Sequence, residues 1–395
     1  MHLAYSIGLV VALSIAVLPA TATCFYLFLL TCLSARTAQP PASTHKIFFD
    51  IVIPAHNEAA GIGKTISSLQ RLDWPNSRYR IVVIADNCTD ETAAISRQAG
   101  ATVLERQDLA RRGKGYALAH AFEWSRSAGI AEAVVIIDAD SVASANLLES
   151  FAARVEAGAC ALQAHYGVLN AADSWRTRLM AIALGSIHKL RSRARERVGL
   201  SCGIRGNGWC VTHAVLHKVP YRSFSLTEDV EFGADLGLAG YRVAYCDESH
   251  VNGEMVTSER ASRSQRQRWE GGRIGLIREK VPALLRAAMA RRSLICLDLA
   301  VDLLVLPLSY VVIIVIGIIA LGALVPTGLL RSVLLAAGLI DLLALTIYVC
   351  RGWRLSGIGL AGAWDLLRVP GFIVWKLLIV RFQPKPDGWV RTKRE

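Results

Sequence analysis

From Lys46 to Cys246 short apolar runs alternate with amphipathic stretches. The runs predict strands over 47–54, 80–85, 101–105, 133–137, 159–166 and 242–246. Between them the spacing predicts helices over 59–71, 89–99, 115–128, 146–156, 174–197, 213–218 and 229–239, with a Gly-rich loop at 202–208. Apolar strands alternating with helices make an α/β domain with a doubly wound, mostly parallel sheet. The run Val134–Ile137 leads into Asp138-Ala139-Asp140. A run apolar at every position reads as a strand buried on both faces. Period-2 alternation then points Asp138 and Asp140 the same way at its C-terminal end, where open α/β sheets bind ligands.

Longer apolar stretches flank this domain. Residues 3–33 carry no Lys or Arg, are long enough to span a bilayer, and are followed by Arg36, which puts the N-terminus outside. Residues 294–325 and 329–350 are each long enough to span and form an out-and-back hairpin. Residues 258–289 read as an amphipathic helix pair broken at Pro282 and lying in the membrane interface. Residues 358–382 are interrupted by Asp365, Arg368, Pro370 and Lys376 and read as interfacial or re-entrant. The organisation expected is a spanning helix at 1–34, a cytosolic α/β domain at 45–256, interfacial helices at 257–292, a transmembrane hairpin at 293–350, and an interfacial segment with a basic cytosolic tail at 356–395. That is a multi-pass protein of the inner (plasma) membrane. Carboxylates in apolar segments are expensive. Asp298 and Asp302, four apart on one face, are expected to pair with Arg291 or Arg292. Asp341 stays open as a polar seam for a polymer, an interhelical hydrogen bond or an oligomer contact.

Composition supports the membrane reading: of 395 residues 53% are hydrophobic, and the mean hydropathy is +0.37. The net charge of +12 concentrates in 174–198, with seven Lys/Arg against one Glu, and in 257–292, with ten against three. Both segments adjoin apolar or amphipathic sequence. That favours lipid headgroups and phosphates as partners over nucleic acid. The nine Cys are scattered without C-x-x-C, which fits a reducing compartment and offers no zinc spacing.

Several polar groups fall at predicted strand and helix ends. Two neighbouring carboxylates, Asp138 and Asp140, call for a hard divalent cation that also touches a diphosphate. The run Gly61-Ile62-Gly63-Lys64-Thr65 fails as a phosphate loop, because Glu58 stands where that motif needs Gly. Asn57 and Glu58 nevertheless face the ligand crevice. Asp86 ends the second strand, where a carboxylate can bind a base or ribose hydroxyl or cap the helix that follows. Arg106 and Arg111-Arg112-Gly113-Lys114-Gly115 precede a helix start, and an anion there relieves the conflict with the helix dipole. Thr227-Glu228-Asp229 opens a helix, either as a plain cap with an acidic first turn or with Asp229 as a general base. Gln265, Arg268 and Trp269 lie on the basic amphipathic helix, where Arg268 can stabilise a diphosphate and Trp269 can stack on a sugar or sit at headgroup level.

These motifs occur together and in order: IVIPAHNE at 51–58, Asp86, RGKGYAL at 112–118, Asp138-Ala-Asp140, Thr227-Glu228-Asp229 and QRQRW at 265–269. Over roughly residues 46–275 the chain resembles the family 2 glycosyltransferases, in particular their membrane-embedded branch of cellulose, hyaluronan and poly-N-acetylglucosamine synthases and ceramide glucosyltransferase. The resemblance implies a GT-A fold, a UDP- or GDP-sugar donor, Mg²⁺ or Mn²⁺, and inversion at the anomeric carbon. By the same resemblance Asn57, Glu58, Asp86, Lys114, Asp138, Asp140 and Arg268 bind the donor, and Asp138 and Asp140 hold the metal. Asp229 is the catalytic base. Gly206, Asn207, Gly208, Glu228, Gln265 and Trp269 meet the acceptor. The acceptor is lipid-linked or polysaccharide, and a homo-oligomer or export partner stays open. The acceptor-contact loop reads SCGIRGNG here, where the synthases commonly carry an FFCG-type sequence. Three expected spans are few for a polymer pore and favour an acceptor already in the membrane. The alternatives are a processive synthase that exports its polymer and a non-catalytic nucleotide-sugar-binding scaffold.

Overall fold

The computed structural model describes residues 2–256 and 259–371; for residues 2–16 and 259–270 it gives the backbone course alone. Helix α1 (His2–Leu33) leads into the α/β domain. There the chain runs β1 (Phe49–Ala55), α2 (Ile62–Leu69), β2 (Tyr79–Asp86), α3 (Thr92–Gln98), β3 (Thr102–Arg106), α4 (Lys114–Ala128) and β4 (Ala133–Ile136). It continues through β5 (Ser141–Ala143), α5 (Leu147–Glu156) and β6 (Ala161–Val168). Next come α6 (Trp175–Leu184), a π-helical stretch (Gly185–Leu190) and α7 (Arg191–Arg197), which together make one long helical run as the spacing predicts. The domain closes with β7 (Trp209–Thr212), α8 (His213–Lys218), α9 (Glu228–Leu238) and β8 (Val243–Gly253).

The eight strands form one mixed sheet in the order β3-β2-β1-β4-β7-β6-β8-β5. Strands β3, β2, β1 and β4 are parallel, β7 runs against both neighbours, β6 and β8 are parallel, and β5 is an antiparallel edge. Strands β5 and β7 are absent from the sequence reading: one has three residues and the other follows directly on the Gly-rich loop. Period-2 alternation builds two cores. On β1, Phe49, Ile51 and Ile53 pack with Ile62, Ile66 and Phe151 on one face, while Val52 packs with Leu118, Trp209 and Phe232 on the other. The strand order reverses beside β1, which opens a crevice at the C-terminal ends of β1 and β4.

Helix α10 (Glu259–Arg291) is continuous, so Pro282 does not divide it. Its Leu276, Val281 and Leu284 are buried against Ala234 of α9 and Leu299 and Leu303 of α11 (Leu294–Leu304). That packing outweighs the one backbone hydrogen bond a proline removes. The expected straight span 294–325 is also revised: α11 meets α12 (Leu308–Leu324) at a 73° bend just before which Pro307 caps α12. Among the described residues α13 (Leu329–Ser356) is the helix long and apolar enough to cross a bilayer by itself, and the bent pair is a second candidate. Helices α1, α12 and α13 pack together through Cys24, Leu27, Val311, Val315, Leu345 and Tyr348. Asp341 accepts a hydrogen bond from Thr21 of α1 at 2.7 Å, the interhelical option among the three left open. In α14 (Leu360–Leu366) Asp365 pairs with Arg178 of α6 at 2.5 Å, while Leu360 and Trp364 stand exposed. Residues 372–382 of the last apolar stretch lie outside the described residues.

Asp298 and Asp302 correct the sequence reading most clearly. Neither pairs with Arg291 or Arg292. Asp298 binds Arg195 at 2.7 Å and accepts from Tyr26 at 2.7 Å. Asp302 binds Arg195 at 2.7 Å, Arg205 at 3.0 Å and Arg191 at 3.2 Å. Helix α11 folds back over α7 and the loop after it, so cations distant in sequence reach these carboxylates first. Arg291 instead donates to the Leu238 carbonyl at the end of α9. Removing one partner of a buried ion network leaves an uncompensated charge that costs about 3–5 kcal/mol. Asp302→Ala is therefore expected to lower the thermal unfolding midpoint in detergent markedly, and an unchanged midpoint would remove the network's structural role.

Candidate active site

Strand β4 ends at Ile136, so the alternation argument does not carry on to Asp138 and Asp140. Their loop is shaped by other groups. Asn207 is fully buried; its Oδ1 accepts from the Asp138 amide at 3.0 Å, and its Nδ2 donates to Ser141 Oγ at 2.7 Å. Gln163 on β6 donates to the Asn207 carbonyl at 2.7 Å and accepts from the Arg205 amide at 2.8 Å. Gly208, at φ +69°, donates to the Ile136 carbonyl, and a Cβ there would stand 2.8 Å from Val251. Asn207 and Gly208 thus move from the expected acceptor set to holding the Asp138–Ser141 turn, because their polar groups are spent inside the protein. Sequence reasoning missed Gln163, a polar residue inside the otherwise apolar run ALQA of β6 that could have been flagged.

Lys114 is the first residue of α4. Its Nζ donates to Asp138 Oδ1 at 2.6 Å and to the Gly206 carbonyl at 2.7 Å, and lies 3.8 Å from Glu228 Oε1. Burial acts to lower the Lys114 pKa, but the Asp138 and Glu228 carboxylates outweigh it and raise it. Gly206, at φ +88°, leaves room for Asp229: a Cβ there would lie 3.4 Å from Asp229 Oδ2. Burial pushes the Glu228 carboxyl up to about 8 and raises Asp229 as well, with Lys114 opposing both shifts. Thr227 holds the N-cap position of α9 without making a side-chain cap bond. Gly115 gives no backbone room for a diphosphate: a Cβ there would lie 2.3 Å from the Ser223 carbonyl oxygen, and Tyr116 stacks on Phe224 at 4.4 Å. This glycine is needed for the close approach of 221–227, the loop that leads into Glu228.

Farther along the crevice Asp86 is buried and paired with Arg106 at 2.5 Å, and Arg106 also meets Asp108 at 3.1 Å. The neighbouring His56 ring bonds the Asp86 carbonyl at 2.7 Å. Asn57, at φ 55°, accepts from the Thr89 amide at 2.7 Å and ties the β1 loop to the β2 loop. The Glu58 amide donates to Thr92 at 2.8 Å. Asp86, Asn57 and Glu58 therefore share one crevice wall, with their loops braced against each other. Gln265, Arg268 and Trp269 fall on α10, and their side chains lie outside the described residues. A little farther along α10, Gly272 packs on Thr227, with a Cβ position 2.9 Å from its methyl carbon. Asp138 and Asp140 offer hard oxygen donors at a crevice edge, a donor set that fits Mg²⁺ or Mn²⁺. Among the described residues no group of three or more His, Cys, Asp or Glu side chains forms a complete ligand set.

With this geometry in hand, relatives can be compared. A beta-monoglucosyldiacylglycerol synthase from Nostoc sp. is 29% identical over 233 residues, covering 57% of this chain and 49% of that protein. A probable glucomannan 4-beta-mannosyltransferase 3 from Oryza sativa subsp. japonica is 24% identical over 246 residues, covering 58% of this chain and 43% of that protein. The chain thus spans about half the length of the curated relatives it matches. A solved mannosyltransferase from Pyrobaculum calidifontis, in complex with GDP-Man and Mn²⁺, shares the fold with a TM-score of 0.57 at 17% identity, over 90% of this chain and 99% of that one. The profile described as glycosyltransferase like family 2 matches residues 45–272. That match takes in the crevice, the Asp138–Ser141 turn, the start of α9 and the Gln265–Trp269 motif, and the chain belongs to glycosyltransferase family 2.

Proposed function

We propose that the chain is an inverting, metal-dependent glycosyltransferase that moves a sugar from a UDP- or GDP-sugar to a lipid acceptor at the cytosolic face of the inner membrane. One observation carries the reading: Asp138, Glu228 and the Gly206 carbonyl, from three separate motifs, converge on the Lys114 ammonium, with Asp229 beside Gly206. The lipid acceptor is supported by the relatives named beta-monoglucosyldiacylglycerol synthase. It is also supported by α13, which is long and apolar enough to keep the site beside a bilayer. The relatives named glucomannan 4-beta-mannosyltransferase favour a second reading, a polysaccharide acceptor. Three spans at 1–34 and 293–350, with the N-terminus outside, remain part of the proposal.

In this reading the Asp229 carboxylate takes the proton of an acceptor hydroxyl as that oxygen bonds the anomeric carbon. The bond from that carbon to the diphosphate breaks in the same displacement, and the nucleoside diphosphate leaves. Asp138 and Asp140 would hold the metal, which supplies charge for the departing diphosphate. Arg268 adds charge-assisted hydrogen bonds to the same group. Lys114 keeps Asp138 turned toward the crevice and favours ionised Glu228 and Asp229. By the family motif Gln265 and Trp269 would meet the acceptor together with Gly206, and Asp86, Asn57 and Glu58 the nucleotide.

Four outcomes test this. Purified protein with a panel of nucleotide sugars should release UDP or GDP and yield a lipid-extractable product; a polymeric product would select the second reading. Asp229→Asn should abolish transfer while donor affinity by calorimetry stays unchanged, and full activity would remove the base assignment. Asp140→Ala should abolish metal-dependent donor binding. The fourth concerns pH. A base must be ionised, so transfer falls on the acid side, at a pH above the ordinary aspartate range because the Asp229 pKa is raised. Folding responds in the opposite sense. Between the unfolded pKa of about 4.3 and the folded value of about 8, the native Glu228 holds a proton that the unfolded chain releases. Stability therefore falls as pH rises through that window, and Glu228→Gln should flatten this slope in thermal melts taken at successive pH values.

A further inference from the structure

A second concentration of charge lies away from the crevice, where α1 and α13 end on the same side of the helical bundle. Arg36 follows α1, Arg351 and Arg354 stand in the last turns of α13, Lys189 lies in the π-helical stretch and Arg193 in α7. Arg351 donates to Ser34 Oγ at 3.0 Å and to the Ser34 carbonyl at 3.0 Å, which ties the end of α13 to the end of α1. One carboxylate, Asp247 on β8, faces these cations. Arg193 pairs with it through Nε at 2.7 Å and Nη2 at 2.7 Å, and Arg36 approaches within 3.7 Å. The next carboxylates, Glu196 and Glu248, are taken by Arg242 and Arg154.

Lys189 is half-buried and makes no hydrogen bond or ion pair among the described residues. Burial lowers its pKa, and Arg193 and Arg36 add to the effect against the pull of Asp247. The remaining titratable neighbours on β6 and β8, His165 and His250, bring no negative charge. A half-buried ammonium without an acceptor, amid surplus positive charge, is a costly arrangement unless an anion completes it. The level is that of lipid headgroups if α13 spans: its apolar residues Leu339, Ile340 and Leu343 are exposed two to three turns before Arg351, and Trp353 marks its end.

We propose that Lys189, Arg354 and Arg36 bind the phosphate of an anionic phospholipid headgroup against the Arg193–Asp247 pair. Phosphate oxygens supply the acceptors that Lys189 lacks, while the acyl chains lie along the apolar outer face of α13. The site is separate from the sugar-transfer residues, so its test needs no turnover.

The test uses the full chain in detergent, titrated by calorimetry with short-chain phosphatidylglycerol, short-chain phosphatidylcholine and inorganic phosphate. Wild type should bind phosphatidylglycerol at least about ten-fold more tightly than phosphatidylcholine, and phosphate should compete poorly. The Lys189→Ala/Arg354→Ala double variant should lose the preference, and Lys189→Arg should keep it. Arg354 is exposed, so Arg354→Ala alone keeps the test open if the double variant fails to fold, with an expected loss of about three-fold. Equal affinity for the two lipids overturns the proposal, and so does a preference that survives the substitutions. Phosphate competing as well as phosphatidylglycerol overturns the lipid as ligand and leaves a free-anion site.

Discussion

The Lys114 ammonium is the constraint on which the crevice depends. Asp138 meets Glu228 and Asp229 from a distant part of the chain, and the three carboxyl groups share a partly buried space. Without a cation among them, desolvation and mutual repulsion would drive protons on to these carboxyls or push the loops apart. Lys114 bonds one carboxylate, lies close to a second, and also holds the Gly206 carbonyl. One ammonium thereby registers the end of β4, the start of α9 and the Gly-rich loop against the first turn of α4.

The supports around that cation are of a different kind. Asn207 is consumed in shaping the Asp138–Ser141 turn, and Gln163 in turn holds Asn207 and Arg205. Arg205 then reaches Asp302 on α11. The Gly-rich loop is therefore tied at one end to the crevice and at the other to a buried charge network that includes Arg195, Asp298 and Tyr26 of α1. Arg195 is fully buried, and its two carboxylate partners lie on α11, just before the bend into α12.

Much of the α/β domain was legible in the sequence because short apolar runs report burial directly. Phe49–Ala55 and Ala133–Ile136 are strands for the reason the pattern suggests: alternate residues face two separate cores. Strand β7 was not legible, since four residues after a glycine-rich loop carry no period of their own. Pro282 misled in the opposite direction, because local helix-breaking gave way to the burial of Leu276, Val281 and Leu284. The candidate site was legible as motifs and not as roles. Asn207 looked like a ligand-contact position, and its side chain is occupied by the protein itself.

By itself the sequence determined six of the eight strands, the helices between them, the acidic and basic motifs, and the apolar stretches on either side, because periodicity and composition are local properties. Tertiary structure alone decided which charges meet. Asp302 chose Arg191, Arg195 and Arg205 over the arginines nearest in sequence. Lys114 gathered carboxylates from the turn after β4 and from α9. A buried charge takes the partner that desolvation forces on it, and that partner is set by which elements pack together.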